Sequence, residues 1–291
     1  MKQKDRLSQI LVITFMGITA LLILVPFLIL LSVSLSDEKD ILLSGYSLFP
    51  KNFTLSAYSY ILKNPVAIIN AYKVTIFYSV VGTILSTFLM ALLAYPLTKR
   101  NLKGRNVISF IIYFTMLFGG GLVPTYILLT RYLKLGDTIW IYILPSMISP
   151  WYVFMMRTFF KDLPGEIMES ALIDGANEYI IFIKMIIPLS KPVLATVALF
   201  TFLSKWNDWF TSMLYIDNQD LLSLQYLLQR IMQNIELLQN NKYSAIISVK
   251  DIPSETVRMA MAVVVAGPAL LVFPFFQKYF VKGLTVGSVK G

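Results

Sequence analysis

The chain has 291 residues, of which 57% are hydrophobic and 14% are charged, whereas soluble domains average roughly 45–50% and about 25%. A soluble fold of this composition could not cover its surface with polar side chains, so the sequence predicts an integral membrane protein. The chain contains no Cys and no His. This excludes disulfide scaffolds, Cys nucleophiles, Ser-His-Asp triads and thiolate or imidazole metal sites, and no bound metal is expected.

Six stretches are long and apolar enough to cross a membrane as helices, which takes about 20 residues each. Their apolar residues occupy every helical face, without the strict alternation of a membrane barrel strand. The predicted spans are residues 10–33, 74–97, 107–130, 138–156, 193–215 and 258–280. We therefore expect an all-α membrane protein with a single domain of six transmembrane helices over residues 1–291, whose first span is an uncleaved anchor.

The distribution of Lys and Arg predicts the orientation of these spans. With the N-terminus in the cytosol, most of the excess positive charge falls on the inside segments, which are residues 1–9, 98–106, 157–192 and the tail 281–291. The outside loops 34–73 and 216–257 are then nearly neutral. Topology thus explains the net charge of +9, and no nucleic-acid partner is expected.

The inside segment 157–192 predicts two short helices. Pro164 can occupy the first turn of a helix, and acidic residues after it favour the positive end of the helix dipole. Gly175 suits the left-handed residue that ends this helix. A second amphipathic helix is expected from about residue 176 to 186 and should stop before Pro188. Exposed apolar residues on the first helix favour a protein partner; the alternative is a connector that lies along the lipid headgroups.

A polar cluster lies in the fifth predicted span. Lys205 and Asp208 are three residues apart, so they could pair on one helical face, and a lone charge at the bilayer centre would cost about 2.5–3.5 kcal/mol. Indole rings and amides are side chains that sugars prefer, whereas interface anchoring and helix packing are the alternatives. The candidate substrate-pathway residues are Trp206, Asn207, Asp208 and Trp209.

The segment 157–192 resembles the signature loop of ABC-importer permeases, which reads E-A-A, three residues, G, nine residues, I-x-L-P. Here E-S-A at 169–171 is followed at the same spacing by Gly175 and by M-I-I-P at 185–188. The three departures are Ser170 for Ala, Met185 for Ile and Ile187 for Leu, and they preserve size and helical character. The D-G-A at 174–176 is similar to that of carbohydrate permeases.

Three further motifs resemble the carbohydrate branch of this family. K-W-N-D-W-F at 205–210 is similar to the W-N-[DE]-F of sugar permeases. The ending G-L-T-V-G-S-V-K-G at 283–291 resembles that of the smaller permease of the maltose importer. F-G-G-G-L-V-P-T-Y at 118–126 looks like a motif of a subgroup that handles complex oligosaccharides. From the residues alone, the glycines in it allow either close helix packing or a break in the span.

The resemblance implies the type I ABC importer permease fold and a role as a non-catalytic subunit in the bacterial cell membrane, with both termini cytosolic. In that family two permeases form one pathway, two ATPases drive it, and an extracellular binding protein delivers the sugar. The resemblance implies that the residues coupled to the ATPase are Glu166, Glu169, Ser170, Ala171, Leu172, Asp174, Gly175, Ala176 and Pro188. It implies a tail that contacts the ATPases through Gly283, Gly287 and Lys290, and an outside loop 216–257 that reaches the binding protein. ATP and Mg²⁺ would bind to the ATPases, since this sequence has no phosphate-binding G-x-x-x-x-G-K-[ST].

Two alternatives stay open at this point. A stand-alone secondary transporter would need intramembrane carboxylates or His for ion coupling, and Asp208 is the one clear intramembrane acid in the predicted spans. An ABC permease for a non-sugar solute is the other alternative, against which the tail and the W-N-D cluster argue.

Overall fold

The structure is a computed structural model that describes residues 2–63, 65–240 and 253–287. Helices dominate this part of the chain, and short 3₁₀ or π segments connect or extend several of them. The α-helices are α1 (Lys2–Ser34), α2 (Glu38–Ser44), α3 (Ser56–Ile61), α4 (Pro65–Ala94), α5 (Arg105–Leu117), α6 (Leu122–Ile127), α7 (Pro150–Lys161), α8 (Gly165–Ile173), α9 (Glu178–Ile181), α10 (Ile187–Leu189), α11 (Lys191–Trp206), α12 (Phe210–Tyr215), α13 (Leu224–Asn240) and α14 (Ser254–Gly287).

Three continuous helices among the described residues are long and apolar enough to cross a membrane. These are Ser8–Ser34, Pro65–Thr98 and Ser254–Gln277. Two bent pairs qualify together, which gives up to five spans if each pair is one span. The pairs are Arg105–Leu117 with Leu122–Tyr132, bent by 114°, and Glu178–Leu189 with Lys191–Trp206, bent by 79°. The predicted helical membrane architecture is therefore present, with more breaks than the sequence suggested.

The chain divides into two compact units, of which the first comprises Met1–Ile68 and Leu228–Pro268. Its helix α1 exposes apolar side chains along most of its length, Phe15 by 71%, as expected of a helix that faces lipid. After α1, an isolated antiparallel bridge joins Ser36 to Phe53. The Ser34 hydroxyl lies 2.9 Å from the Tyr58 hydroxyl, which ties the end of α1 to α3.

The second unit comprises Ile69–Leu227 and Ala269–Gly291, and its described residues include two apolar clusters. One core packs the end of α4 against α7, α9 and the start of α11, through side chains that include Met90, Met156 and Phe182. The other core contains Tyr78 and Tyr142, whose rings stack with centroids 4.4 Å apart.

The third predicted span, 107–130, is not one helix. Helix α5 ends at Leu117, Phe118 is extended, and α6 begins after Gly121. Gly121 has a φ of +83°, a conformation that glycine adopts at little steric cost. Of the two roles open to the glycines, the structure shows the break.

The fourth predicted span, 138–156, is also wrong as a continuous helix. The chain forms a 3₁₀ turn at Ile139–Tyr142, and a helix begins only at Pro150 and continues to Lys161. Pro145 and Pro150 favour this difference, because proline has no N–H to donate and clashes with the preceding helical turn. At Pro150 this restriction is harmless, since the first helical turn needs no such donor.

The other boundaries differ less. The second span begins at Pro65, ahead of the expected residue 74, and the last helix runs from Ser254 to Gly287, beyond both ends of the expected 258–280. The fifth span breaks after Trp206 and resumes as α12. In the outside loop 216–257, α13 forms from Leu224, and residues 241–252 of that loop lie outside the described residues.

Candidate functional site

A cavity of about 700 Å³ lies in the second unit where α11 breaks. The end of α11 supplies Lys205, and the three residues after α11 line the cavity beside it. The segment before α7 and the first turn of α7 also line the cavity. The lining residues are Met90, Ser146, Ile148, Ser149, Pro150, Trp151, Tyr152, Thr201, Ser204, Lys205, Asn207, Asp208, Trp209 and Phe210. Both polar and aromatic side chains line the cavity, as is typical of small-molecule sites.

Lys205 is a buried cation in the wall of this cavity. Lys205 is 5% exposed. Its ammonium donates to the Tyr142 carbonyl oxygen at 3.2 Å and to the Ser146 hydroxyl at 2.6 Å. The side chain passes so close to Gly82 of α4 that a Cβ there would lie 2.8 Å from the Lys205 Cε. Any larger residue at position 82 would therefore make the end of the Lys205 side chain shift.

The sequence allowed Lys205 to pair with Asp208 on one helical face, and the structure does not show that pairing. Helix α11 ends at Trp206, and among the described residues no salt bridge joins the two side chains. The Asp208 carboxylate instead accepts the Thr211 N–H at 3.0 Å, which satisfies an unpaired donor in the first turn of α12. Asn207 donates back to the Leu203 carbonyl oxygen.

The two tryptophans of the W-N-D cluster have different surroundings. Trp206 is 2% exposed, stacks on Phe202 and does not line the cavity. This position agrees with the helix-packing alternative. Trp209 is 39% exposed and lines the cavity together with Asn207 and Asp208. Three of the four candidate pathway residues are therefore brought together at the cavity.

Sequence analysis missed the other wall of the cavity. Ser146, Trp151 and Tyr152 lie there, in the stretch that the sequence analysis assigned to the middle of a continuous span. A signal was present in P-S-M-I-S-P-W-Y at 145–152, because each proline removes a helical donor and favours a break or a helix start.

The segment 157–192 forms a second feature, a protruding helix. Helix α8 is followed by Gly175 at a φ of +82°, and the Ala176 N–H donates to the Ala171 carbonyl oxygen at 2.9 Å. The helix end that Gly175 predicted is thus present. Met168, Ala171 and Ala176 pack against the first core. The exposed residues of the predicted coupling set are Glu166, Glu169, Ser170, Leu172, Asp174, Gly175 and Pro188.

The second helix of this segment departs from the prediction at its end. It passes from α9 through a π turn at Phe182–Ile186 into α10, which contains Pro188. The helix therefore continues past the proline and ends before Ser190, where the chain bends by 79°. A π turn accommodates the proline, because the missing N–H and the ring clash fall on a widened turn.

Two side chains from the end of the α4 span hold α9 in place. The Lys99 ammonium lies 3.0 Å from the Glu178 carboxylate, and the Tyr95 hydroxyl donates to the same carboxylate. Asn177 caps α9 by accepting the Ile180 N–H at 2.8 Å. Of the predicted tail residues, Gly283 and Gly287 lie in the last turns of α14, and Lys290 lies outside the described residues.

Comparison with known proteins identifies the family. Residues 87–286 match the family described as "Binding-protein-dependent transport system inner membrane component". The chain belongs to this family. The predicted recognition as an ABC-importer permease is therefore confirmed: the chain is a non-catalytic permease component that is embedded in a membrane.

Similar proteins extend over nearly the whole chain. Protein LplC of Bacillus subtilis (strain 168) is 40% identical, over 96% of this chain and 93% of its own length. The polygalacturonan/rhamnogalacturonan transport system permease protein YtcP of the same organism is 38% identical, over 99% and 100%. A crystal structure of a bacterial ABC transporter involved in the import of the acidic polysaccharide alginate has a chain that matches with a TM-score of 0.80 and 32% identity, over 95% of this chain and 98% of that one. The predicted importer permease fold is confirmed.

Proposed function

We propose that this chain is one of two permease subunits in an ATP-driven, binding-protein-dependent importer of oligosaccharides. Its family makes it a permease component, and its relative YtcP is named for the transport of polygalacturonan and rhamnogalacturonan. The observation that carries the proposal is the cavity, because Trp151, Trp209 and Asn207 offer the flat apolar faces and hydrogen bonds that suit a sugar.

Helix α8 is the surface through which the ATPase moves this subunit. Its outer side chains are exposed, Ile173 by 86%, while its inner side chains are packed on the core. A push on α8 is therefore transmitted to α4 and α7 as rigid elements. ATP-dependent closure of the two ATPases would switch the pathway between inward- and outward-open states.

The remaining partners follow from the same assignment. Both termini and the segment 157–192 face the cytosol of a bacterial cell, where Gly283, Gly287 and Lys290 reach the ATPases. The outside loop 216–257 faces the extracellular binding protein that delivers the sugar. ATP and Mg²⁺ bind to the ATPases, and this chain holds no cofactor of its own.

A pull-down from mild detergent tests the assembly. The tagged chain should bring down a second permease and an ATPase that carries a phosphate-binding loop. Gly175→Trp should lose the ATPase, because Gly175 ends the exposed helix. Gly104→Trp is the matched control, since Gly104 also has a positive φ, +78°, and open space around it, and it lies outside the segment 157–192. Recovery of the chain alone would contradict the proposal, as would loss of the ATPase from both variants.

A further inference from the structure

A second cavity, of about 590 Å³, lies in the second unit at the end of the α4 span. Residues from the end of that span, from the segment after it and from the helix that begins at Glu178 line the cavity. Pro65–Thr98 and the bent pair that begins at Glu178 are both candidate membrane spans. The cavity therefore lies where two spans reach the membrane surface, at the level of the lipid headgroups.

The part of the cavity that belongs to the span is apolar. Leu92, Tyr95 and Pro96 line it, and their spacing of three and four residues places them on one face of the helix. Leu92 is 40% exposed. It lies about 10 Å deeper along the span than Lys99, since a helix rises about 1.5 Å per residue. An exposed apolar surface at that depth suits an acyl chain.

The part of the cavity beyond the span is basic. Lys99 and Lys103 line it, and Glu178 is the one acid among its described lining residues. The Lys99 ammonium lies 3.0 Å from the Glu178 carboxylate and 5.0 Å from the centroid of the Tyr95 ring, so this lysine is already paired. Lys103 is exposed and forms no salt bridge within the described part of the chain. The cavity therefore keeps one net positive charge.

An anionic phospholipid matches both parts of this cavity. Its phosphate can accept hydrogen bonds from the Lys103 ammonium and the Asn101 amide, while an acyl chain follows the face of Leu92. Tyr179, which is 67% exposed, also lines the cavity, and tyrosine is enriched at headgroup level. Basic pockets between membrane helices on the cytosolic side bind anionic headgroups. A soluble phosphate compound would leave the apolar part of the cavity empty.

We propose that this cavity binds an anionic phospholipid, with the lipid phosphate at Lys103 and an acyl chain along Leu92. The site shares no lining residue with the cavity at the break of α11. Lipid binding is therefore a further property of this chain, independent of the solute that the importer moves.

The test is native mass spectrometry of the full chain with its co-purifying partners, taken from nanodiscs that contain equal amounts of phosphatidylglycerol and phosphatidylcholine. The measured quantity is the ratio of the two lipids that the washed protein retains, and phosphatidylglycerol should be in excess. Lys103→Gln should lower this ratio about fivefold, which is the attraction that one basic residue near the surface contributes. Lys103→Arg keeps the charge and should keep the ratio.

Lys161→Gln is the matched control. Lys161 is an exposed lysine in another segment that the proposed topology places in the cytosol, and it does not line the cavity. Its loss should leave the lipid ratio unchanged. An equal fall in Lys103→Gln and Lys161→Gln would mean that the whole surface attracts lipid without a site, which overturns the inference.

A second variant should move the ratio in the opposite direction. Glu178→Gln removes the acid from the cavity and frees the Lys99 ammonium, while the amide oxygen can still accept the Tyr95 hydroxyl. Retention of phosphatidylglycerol relative to phosphatidylcholine should therefore rise. A variant that only loosened α9 would lose both lipids alike. An unchanged or lower ratio contradicts the lipid site.

The remaining outcomes identify other occupants of the cavity, and each of them overturns the inference. Glycerol 1-phosphate carries the phosphate without acyl chains, and its displacement of the lipid at equal concentration would show a site for soluble phosphate compounds. Loss of the ATPase from Lys103→Gln, with an unchanged lipid ratio, would show that the basic part is a contact with the ATPase. Equal retention of the two lipids by the unaltered chain would show that no anionic site exists.

Discussion

At the residue scale, a single carboxylate holds the start of the last membrane helix, α14. Glu38 accepts the backbone N–H groups of Ser254, Glu255 and Thr256 at 2.9 to 3.1 Å, and the Ser254 and Thr256 hydroxyls as well. The first turn of a helix has donors without intrahelical partners and a partial positive charge. One side chain of α2 thus fixes the start of the last membrane helix.

We expect Glu38→Gln to destabilise the start of α14 by about 2 kcal/mol, because hydrogen bonds to a charged acceptor are worth roughly 1.5–3 kcal/mol. Hydrogen exchange should show faster exchange of the Glu255 and Thr256 amides. The control is Glu236→Gln, which removes an exposed 3.2 Å ion pair with Arg258, worth about 0–1 kcal/mol. Equal exchange rates in the two variants would count against the capping role.

The residues of the candidate site could largely be predicted from the sequence, whereas the contacts that these residues make could not. Asn207, Asp208 and Trp209 could be predicted because polar and aromatic side chains stood out inside an apolar stretch of the sequence. All three line the cavity. The Lys205–Asp208 pair required an unbroken helix, which the structure does not show. The contact of Lys205 with Gly82, more than a hundred positions away, left no local signal in the sequence.

At the element scale, helices were predictable where local chemistry sets their ends. Pro164 and Gly175 set the two ends of α8 through local backbone preferences, which do not depend on how the chain packs. Helix α8 was therefore predicted well. Apolar composition alone gave the spans, and composition does not reveal bends. The sequence left a break at Gly121 as one of two alternatives, and the structure shows it together with the break near Pro145.

Helix α8 also gives a prediction about docking. Ile173→Glu should weaken recovery of the ATPase with the tagged chain by about tenfold, since it places a charge on an exposed apolar surface without disturbing the core. Leu43→Glu is the control, because Leu43 and Ile173 are both 86% exposed and Leu43 lies in α2. Loss of recovery in both variants, or in neither, would contradict docking through α8.

At the scale of the whole molecule, the broken spans and the cavity belong together. The interruption of α11 at Trp206 and the late start of α7 at Pro150 give the cavity both of its walls. Irregular backbone at membrane depth is tolerated where protein or a water-filled cavity surrounds it. Two of the breaks that sequence patterns predicted poorly, after Trp206 and before Pro150, thus lie at the cavity.

The most direct measurement is uptake of labelled oligosaccharide into liposomes that hold this chain, the second permease, the ATPase and internal ATP, with binding protein outside. The account predicts accumulation that requires ATP and all of these subunits, and none with this chain alone. Uptake by this chain alone, driven by an ion gradient without ATP, would contradict the account and favour a secondary transporter.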